Sequence, residues 1–390
     1  MKDWLQRNLK GDPILWAIVF LFSFISIAVV YSATGTLAYK KLNGNTEAFL
    51  FKHTSLILVG LVCMWLAHRV DYRHYSRWSL YALLLSVPLL LYTFFMGGTT
   101  LNEASRWLTI PVINQTFQPS DLAKLALITH LASMLSRRQQ HLHDFKSTLL
   151  PVMLWVGTIC GLIILSNAST ALLLFATCML LMFIGRVPLK QMAVMVAIGI
   201  VLGGTGLWAG QRLGTVISRV TNFSDKTKKT PFQLEHSYIA IATGGIAGKG
   251  PGKSTERNIL PHPYSDFIYA IIIEEYGLLG GAIILFLYLA FLYRGLKTVM
   301  NSYGAFGGLL SAGLSFSLVL QALVNMGVAV GLGPITGLPL PLLSMGGTSL
   351  IFTGLSIGII LAVSRGEPEI RPVTGEDPDA PRIPRLGASY

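Results

Sequence analysis

The sequence predicts an all-α polytopic membrane protein of about ten transmembrane helices, N-in and C-in, with a large extracytoplasmic loop between the seventh and eighth helices. Three observations carry this reading. Of the 390 residues, 52% are hydrophobic and 12% charged, whereas an ordinary soluble domain is about 25% charged. The apolar residues fall into blocks approaching the ~20 residues that cross a bilayer as a helix. The basic residues sit in short runs between those blocks, denser on alternate sides. The formal net charge of +12 is therefore assigned to topology and attraction to anionic lipid, not to a nucleic-acid surface.

The blocks occupy residues 13–38, 54–67, 78–96, 121–135, 149–165, 170–184, 189–209, 267–293, 306–330 and 345–363. The second, fourth and sixth are short. The first has no small-residue cleavage site after it, so it reads as an uncleaved span following a cytoplasmic N-terminus, residues 1–12. With that terminus inside, the inner segments hold Lys2, Arg7, Lys10, Arg69, Arg73, Arg77, Arg137, Arg138, Lys146, Arg186, Lys190, Arg294, Lys297 and four tail arginines. The short outer loops hold only Lys40, Lys41, Lys52 and Arg106. This asymmetry sets the orientation. The transmembrane domain then runs over 13–364, and residues 365–390, with five prolines and mixed charge, read as a disordered cytoplasmic tail. Cys63, Cys160 and Cys178 lie in apolar blocks at no metal-ligand spacing and read as small core residues.

Residues 211–265 form the large outer loop, with eight Lys or Arg against Asp225, Glu235 and Glu256. Long loops are exempt from the positive-inside rule. Two readings stand side by side: a solvated segment or helix lying on the anionic leaflet, and a site for an anionic, phosphate-bearing substrate.

Ionisable residues inside spans are costly and mark function. Here they are Lys124 near the start of the fourth span and Glu274 and Glu275 about two turns into the eighth, with Asp266 at that span's mouth. Pro119 and Asp121 suit the first turn of a helix. Asp121 and Lys124, three apart, share a face, either as a local ion pair or as a polar face turned to a cavity. Glu274 and Glu275 are expected to tie neighbouring helices. The Gly-rich stretch from Gly244 to Ser254 ends in Gly-Lys-Ser at Gly252, Lys253 and Ser254, but its spacing is wrong for a nucleotide P-loop. It is either a flexible re-entrant loop or a turn whose amides approach a pyrophosphate. Asp266 either caps the eighth helix or, partly desolvated, serves as a general base. Pro334, Pro339 and Pro341, among several glycines, cannot continue a helix, so the chain between spans nine and ten is expected to be a re-entrant or lid-like loop lining a cavity.

The motifs are Arg106-Trp107, Phe117-Gln118-Pro119-Ser120-Asp121-Leu122-Ala123-Lys124, the glycines up to Gly252, Leu260-Pro261 through Ser265-Asp266-Phe267-Ile268, Glu274-Glu275-Tyr276-Gly277, and Leu338-Pro339-Leu340-Pro341 through Gly346-Gly347-Thr348-Ser349. In this order, over roughly residues 12–365, the chain resembles the SEDS (shape, elongation, division and sporulation) family of peptidoglycan glycosyltransferases. The Gly250 to Thr255 stretch and the run from Ser265 to Ala270 resemble the division branch, FtsW, whereas Pro339 leans to the elongation branch, RodA.

The resemblance implies polymerisation of lipid II into glycan strands at the outer face of the cytoplasmic (inner) membrane, with undecaprenyl pyrophosphate as leaving group. It implies a class B penicillin-binding protein transpeptidase and other divisome membrane proteins as partners, no nucleic acid and no nucleotide. The family's essential carboxylate falls on Asp266, as general base or metal ligand; a divalent cation, magnesium or manganese, is compatible, although no dedicated metal cage is legible. The family's Gln-Pro-Ser-Glu motif and lysine fall on Gln118, Ser120, Asp121 and Lys124, with Asp121 one methylene shorter than the usual Glu. Arg106 and Lys124 are expected to hold pyrophosphate, while the basic loop, with Lys249 and Lys253, gathers substrate. A Pro-Asp-Phe-Gly-Thr-like motif falls near Ser166 to Thr170, where its Pro and Asp are absent. A lipid II flippase and a non-catalytic division scaffold remain the rival readings; the sequence shows no paired interrupted spans of the transporter kind.

Overall fold

The computed structural model describes residues 9–41, 46–95, 99–101, 104–110, 115–142, 144–225, 230–261, 263–300, 302 and 304–366. In chain order its elements are α1 (Pro13–Lys41), α2 (Thr46–Arg69), α3 (Tyr72–Phe95), β1 (Thr99–Leu101), β2 (Ala104–Ile110), β3 (Gln115–Phe117), α4 (Pro119–Arg137), α5 (Leu150–Ile164), α6 (Ala168–Ile184), α7 (Leu189–Ala209), α8 (Leu213–Ser224), α9 (Phe232–Gly244), α10 (Ile268–Met300), α11 (Ala305–Ala329) and α12 (Ser349–Ser364). Each apolar block of the sequence falls on a helix. Seven described helices are long and apolar enough to cross a membrane, and α6 and α12 are shorter apolar helices. α4 is more polar, because it carries Asp121, Lys124, His130 and Arg137. The chain is a mostly helical, multi-pass membrane protein. The predicted tail lies almost wholly outside the described residues.

Two expectations need correction. The protein is not purely α: between α3 and α4 the strands β1, β2 and β3 form an antiparallel sheet, with Thr99 opposite Trp107 and Leu108 opposite Phe117. β-Branched and aromatic side chains favour this pairing, but three-residue strands are too short to show a period of two. Nor is 211–265 simply a loop. It contains α8 and α9, and α9 buries Leu234, Ser237, Ala240 and Gly244. The Ser237 hydroxyl donates to the Ala329 carbonyl at 2.7 Å, which holds α9 against the end of α11.

α10 is broken at Gly277, whose φ of 71° and ψ of −175° interrupt the helix. An unbroken helix would bond the amides of Leu278 and Leu279 to the carbonyls of Glu274 and Glu275. Here both pairs are exchanged with the Gly-rich stretch. The amides of Lys249 and Gly250 donate to the Glu274 and Glu275 carbonyls at 2.9 Å, while Leu278 and Leu279 donate to Gly245 and Ile246 at 2.9 and 3.4 Å. These two amides and two carbonyls of α10 are thus satisfied at the break. Such an approach leaves no room for side chains: a Cβ on Gly277 would stand 2.0 Å from the Ile246 carbonyl oxygen, and one on Gly248 2.2 Å from that of Glu275.

Glu274, fully buried, anchors the exchange. Its carboxylate accepts from Lys249 Nζ at 2.5 Å, from the Thr255 amide and hydroxyl at 2.9 and 2.8 Å, from the Glu256 amide at 3.3 Å, and from the Ser254 hydroxyl. Glu275 accepts from the Ser32 hydroxyl of α1. So Glu275 ties two helices, as expected, whereas Glu274 ties a loop. At the other end of the bundle the Asp12 amide donates to Ser364 Oγ at 3.0 Å and Arg294 Nε to Asp12 Oδ2 at 2.6 Å, so the start of α1 and the end of α12 share one end.

Gly277→Ala is expected to lower stability by at least about 2 kcal/mol, from a left-handed φ and a backbone clash. Gly204→Ala, where a Cβ meets nothing within 4 Å, should leave the melting temperature unchanged. Thermal unfolding of the two variants in one detergent checks this.

Candidate active site at the mouth of the bundle

A cavity of about 460 Å³ lies at the end of the bundle opposite Asp12, and its walls include Trp107, Asp121, Lys124, Arg219, Asp266 and Gln321. They come from β2, from the start of α4, from α8, from the residues preceding α10 and from the last turns of α11. The connection 331–348, which is neither helix nor strand, supplies Gly337, Leu338 and Pro339 as a further wall. This is the cavity-lining role expected of that Pro-rich stretch.

α4 begins where Pro119 fits the first turn and Asp121 meets its positive end. Asp121 is 5% exposed. Its Oδ1 lies 3.7 Å from Lys124 Nζ, and the Ser349 hydroxyl stands beside it. Both earlier readings of the pair therefore hold, since it is an ion pair and it faces the cavity. Lys124 Nζ donates to Gln321 Oε1 at 2.9 Å, and Gln321 Nε2 donates to the Pro339 carbonyl at 2.9 Å. Gln118 lines the cavity, and its Nε2 donates to Ser120 Oγ at 2.9 Å. Ser120 is buried behind it.

Asp266 is held by its backbone. The carbonyls of Tyr264, Ser265 and Asp266 are each taken by a distant donor: the Met345 amide at 2.9 Å, the Ser344 hydroxyl at 2.6 Å and Asn325 Nδ2 at 2.8 Å. Asn325 Nδ2 also donates to the Leu338 carbonyl at 2.7 Å. The half-buried carboxylate accepts from Ser265 Oγ at 2.9 Å. Its charge reaches two neighbours. Burial, then Asp266, push the Tyr264 hydroxyl above its ordinary pKa. Burial and Arg212 pull Arg219 below the usual guanidinium value, and Asp266 opposes them. Two carboxylates and two cations thus share one cavity.

Of the residues picked from the sequence, Gln118, Asp121, Lys124 and Asp266 line this cavity and Ser120 supports it. Lys249 does not reach it: the lysine is drawn to the buried Glu274 carboxylate and to Thr255 Oγ1 at 3.0 Å. Lys253 is exposed outside the lining. Arg106 sits on β2, and its side chain lies outside the described residues. Near the divergent motif, Asn167 caps α6 by accepting from the Thr170 amide at 3.2 Å, and both residues line the cavity. Sequence reasoning missed Arg219, Gln321 and Asn325. The signal for the last two was present, as amides one turn apart in an otherwise apolar helix.

The sequence profile of a family described as cell cycle protein, spanning FtsW, RodA and SpoVE, matches residues 12–369. The chain is 32% identical over 374 residues to a probable peptidoglycan glycosyltransferase FtsW of Geobacter sp. (strain M18), covering 92% of this chain and 98% of that protein. It is 30% identical to stage V sporulation protein E of Bacillus subtilis (strain 168), with the same coverage, 92% and 98%. Among solved structures it is similar to a chain described under the structural coordination of polymerization and crosslinking by a peptidoglycan synthase complex, with TM-score 0.72, 25% identity and 91% and 98% coverage. It is also similar to the rod shape determining protein RodA of Thermus thermophilus, with TM-score 0.64, 26% identity and 91% and 97% coverage.

Asn325→Ala strips one donor from two carbonyls, those of Asp266 and Leu338. It is expected to cost about 2–4 kcal/mol, read as a fall in melting temperature in detergent.

Proposed function

Because the chain belongs to the cell cycle protein family of FtsW, RodA and SpoVE, we propose that it is a peptidoglycan glycosyltransferase, polymerising lipid II in septal wall synthesis. The observation that carries this is Asp266, clamped by three backbone bonds in a cavity that also holds Lys124 and Arg219.

The reaction joins a sugar hydroxyl to the anomeric carbon of a second lipid-linked sugar. The hydroxyl loses its proton to the Asp266 carboxylate, the new glycosidic bond forms, and the bond from the anomeric carbon to the pyrophosphate breaks. The leaving undecaprenyl pyrophosphate carries the developed negative charge. Lys124 and Arg219 offset it in a cavity partly withdrawn from water, where oriented cations act most strongly. Gln321 holds Lys124 in place. A magnesium or manganese ion, when bound, adds positive charge at the pyrophosphate. No group of three acidic, His or Cys side chains gathers among the described residues; in the alternative where Asp266 is a metal ligand and not the base, it and the substrate's own oxygens would hold the ion, a pattern usual for magnesium.

The topology proposed with this function has ten spans, α1–α7 and α10–α12, with both termini in the cytoplasm and the cavity on the outer face of the inner membrane. The Lys and Arg distribution supports it, as does the bond between Asp12 and Ser364, because termini at one end require an even number of crossings. The polymer is expected to need cross-linking by a class B penicillin-binding protein, alongside other divisome proteins, and the similarity to a synthase complex chain supports such a partner. A flippase is less well supported. The break in α10 is sealed by loop backbone, not left open as a midplane ion or substrate site.

In phospholipid vesicles, with its transpeptidase partner and purified lipid II, the wild-type chain is expected to produce ladders of glycan. Asp266→Asn should lower the rate by about 10²–10⁴-fold, the range for loss of a general base, with an unchanged melting temperature. Wild-type polymerisation by folded Asp266→Asn would sink the assignment. No polymer from wild type, with partner and divalent ion present, would favour the scaffold or the flippase.

A further inference from the structure

One wall of the cavity does not come from the bundle. α8 buries none of its residues. At about 100° per residue, Leu213, Val216, Ile217, Val220 and Phe223 form a single stripe along one third of its circumference. Four of them are exposed, Leu213 at 38%, Ile217 at 52%, Val220 at 49% and Phe223 at 40%, and Val216 is half-buried. Thr215, Ser218, Thr221 and Asn222 occupy the other side. Arg219 stands at the border of the stripe and reaches the cavity wall, within the field of Asp266.

The position of α8 says what covers that stripe. It follows α7, an apolar helix that buries only Met195 and is therefore wrapped in lipid. Three residues separate them. The chain turns sharply there, with Gln211 at φ 54° and the Arg212 amide bonded back to the Leu207 carbonyl at 2.9 Å, the left-handed turn that closes helices. α8 thus starts at the depth where a membrane-wrapped helix ends. Arg212 lies before the stripe, and Lys226, Lys228 and Lys229 follow it in sequence, a positive flank suited to anionic phospholipid headgroups.

We infer that α8 is an interfacial helix seated on the leaflet at the cavity end, and that the lipid surface, through its apolar stripe, holds Arg219 in the cavity. The cavity is then complete only in a bilayer. A polyprenyl pyrophosphate, anchored in the same leaflet, meets Arg219 at headgroup depth. That last step rests on the function proposed above; the seating of α8 does not.

The test uses the full chain with Cys63, Cys160 and Cys178 replaced by Ala, in vesicles of phosphatidylethanolamine and phosphatidylglycerol. Nitroxides are attached singly through Ile217→Cys, Val220→Cys, Ser218→Cys and Asn222→Cys. Collision with oxygen, which partitions into lipid, is compared with collision with a water-soluble nickel complex. Positions 217 and 220 are expected to favour oxygen, and 218 and 222 nickel. In the same vesicles, with the transpeptidase partner and divalent ion present, the double variant Ile217→Glu, Val220→Glu should polymerise lipid II about tenfold more slowly, the scale of one large apolar side chain kept out of lipid. Thr221→Glu should stay within about twofold of wild type. If 217 and 220 meet nickel as freely as 218 and 222, the helix lies in water and the inference fails. If both reagents are excluded from 217 and 220, protein covers the stripe and it fails again. If the nitroxide pattern is as expected but wild type makes no polymer, the seating stands and the proposed function falls.

Discussion

The exchange of backbone hydrogen bonds at Gly277 is the constraint on which the rest of the structure depends. A helix broken inside a bilayer exposes carbonyls and amides that lipid cannot satisfy. The Gly-rich stretch satisfies four of them, and the backbones lie so close that Gly244, Gly248 and Gly277 leave no room for a side chain. That requirement holds the stretch 245–255 against α10. Glu274 then secures it, with three backbone or hydroxyl donors from Thr255 and Glu256 and the charge of Lys249. Since α9 leads directly into this stretch and Asp266 directly precedes α10, the two flanks of the cavity are set by the same seal.

The cavity itself is an electrostatic compromise. Asp121 and Asp266 are matched by Lys124 and Arg219, so their charges cancel within one enclosure. None is left as an uncompensated buried charge, which would be the costly case. The partners differ in kind. Lys124 is held by two neighbours inside the bundle, whereas Arg219 comes from an amphipathic helix outside it. In the mechanism proposed above, a rigid cation and a membrane-dependent one meet the same ligand.

Much of this was legible in the sequence, for physical reasons that can be named. Apolar blocks mark helices because lipid admits little else, so the bundle was visible in outline. Lys124 and Asp266 stood out because charge at the edge of an apolar block is rare. Lys249 misled, since a lysine among glycines resembles a phosphate site and nothing local reveals that Glu274, 25 residues on, claims it. Arg219 stayed hidden among eight basic residues in one stretch, because composition does not say which cation faces inward. Gln321 and Asn325 were quieter still, as neutral amides whose importance lies in carbonyls contributed by other segments.

The hydrogen bonds around Asp266 also set an order of assembly. The seal on α10 closes between residues 25 apart, Lys249 and Glu274, and can form as soon as that helix leaves the ribosome and enters the membrane. The clamp on Asp266 cannot. It waits for Asn325, 59 residues later, and for Ser344, 79 residues after its partner Ser265. The Thr348 hydroxyl, which donates to the Thr116 carbonyl across 232 residues, comes with the final helix. Closing contacts over such separations is slow and late. On the role proposed for Asp266, a truncated or half-inserted copy lacks the groups that aim its carboxylate, and competence arrives only with the last crossing.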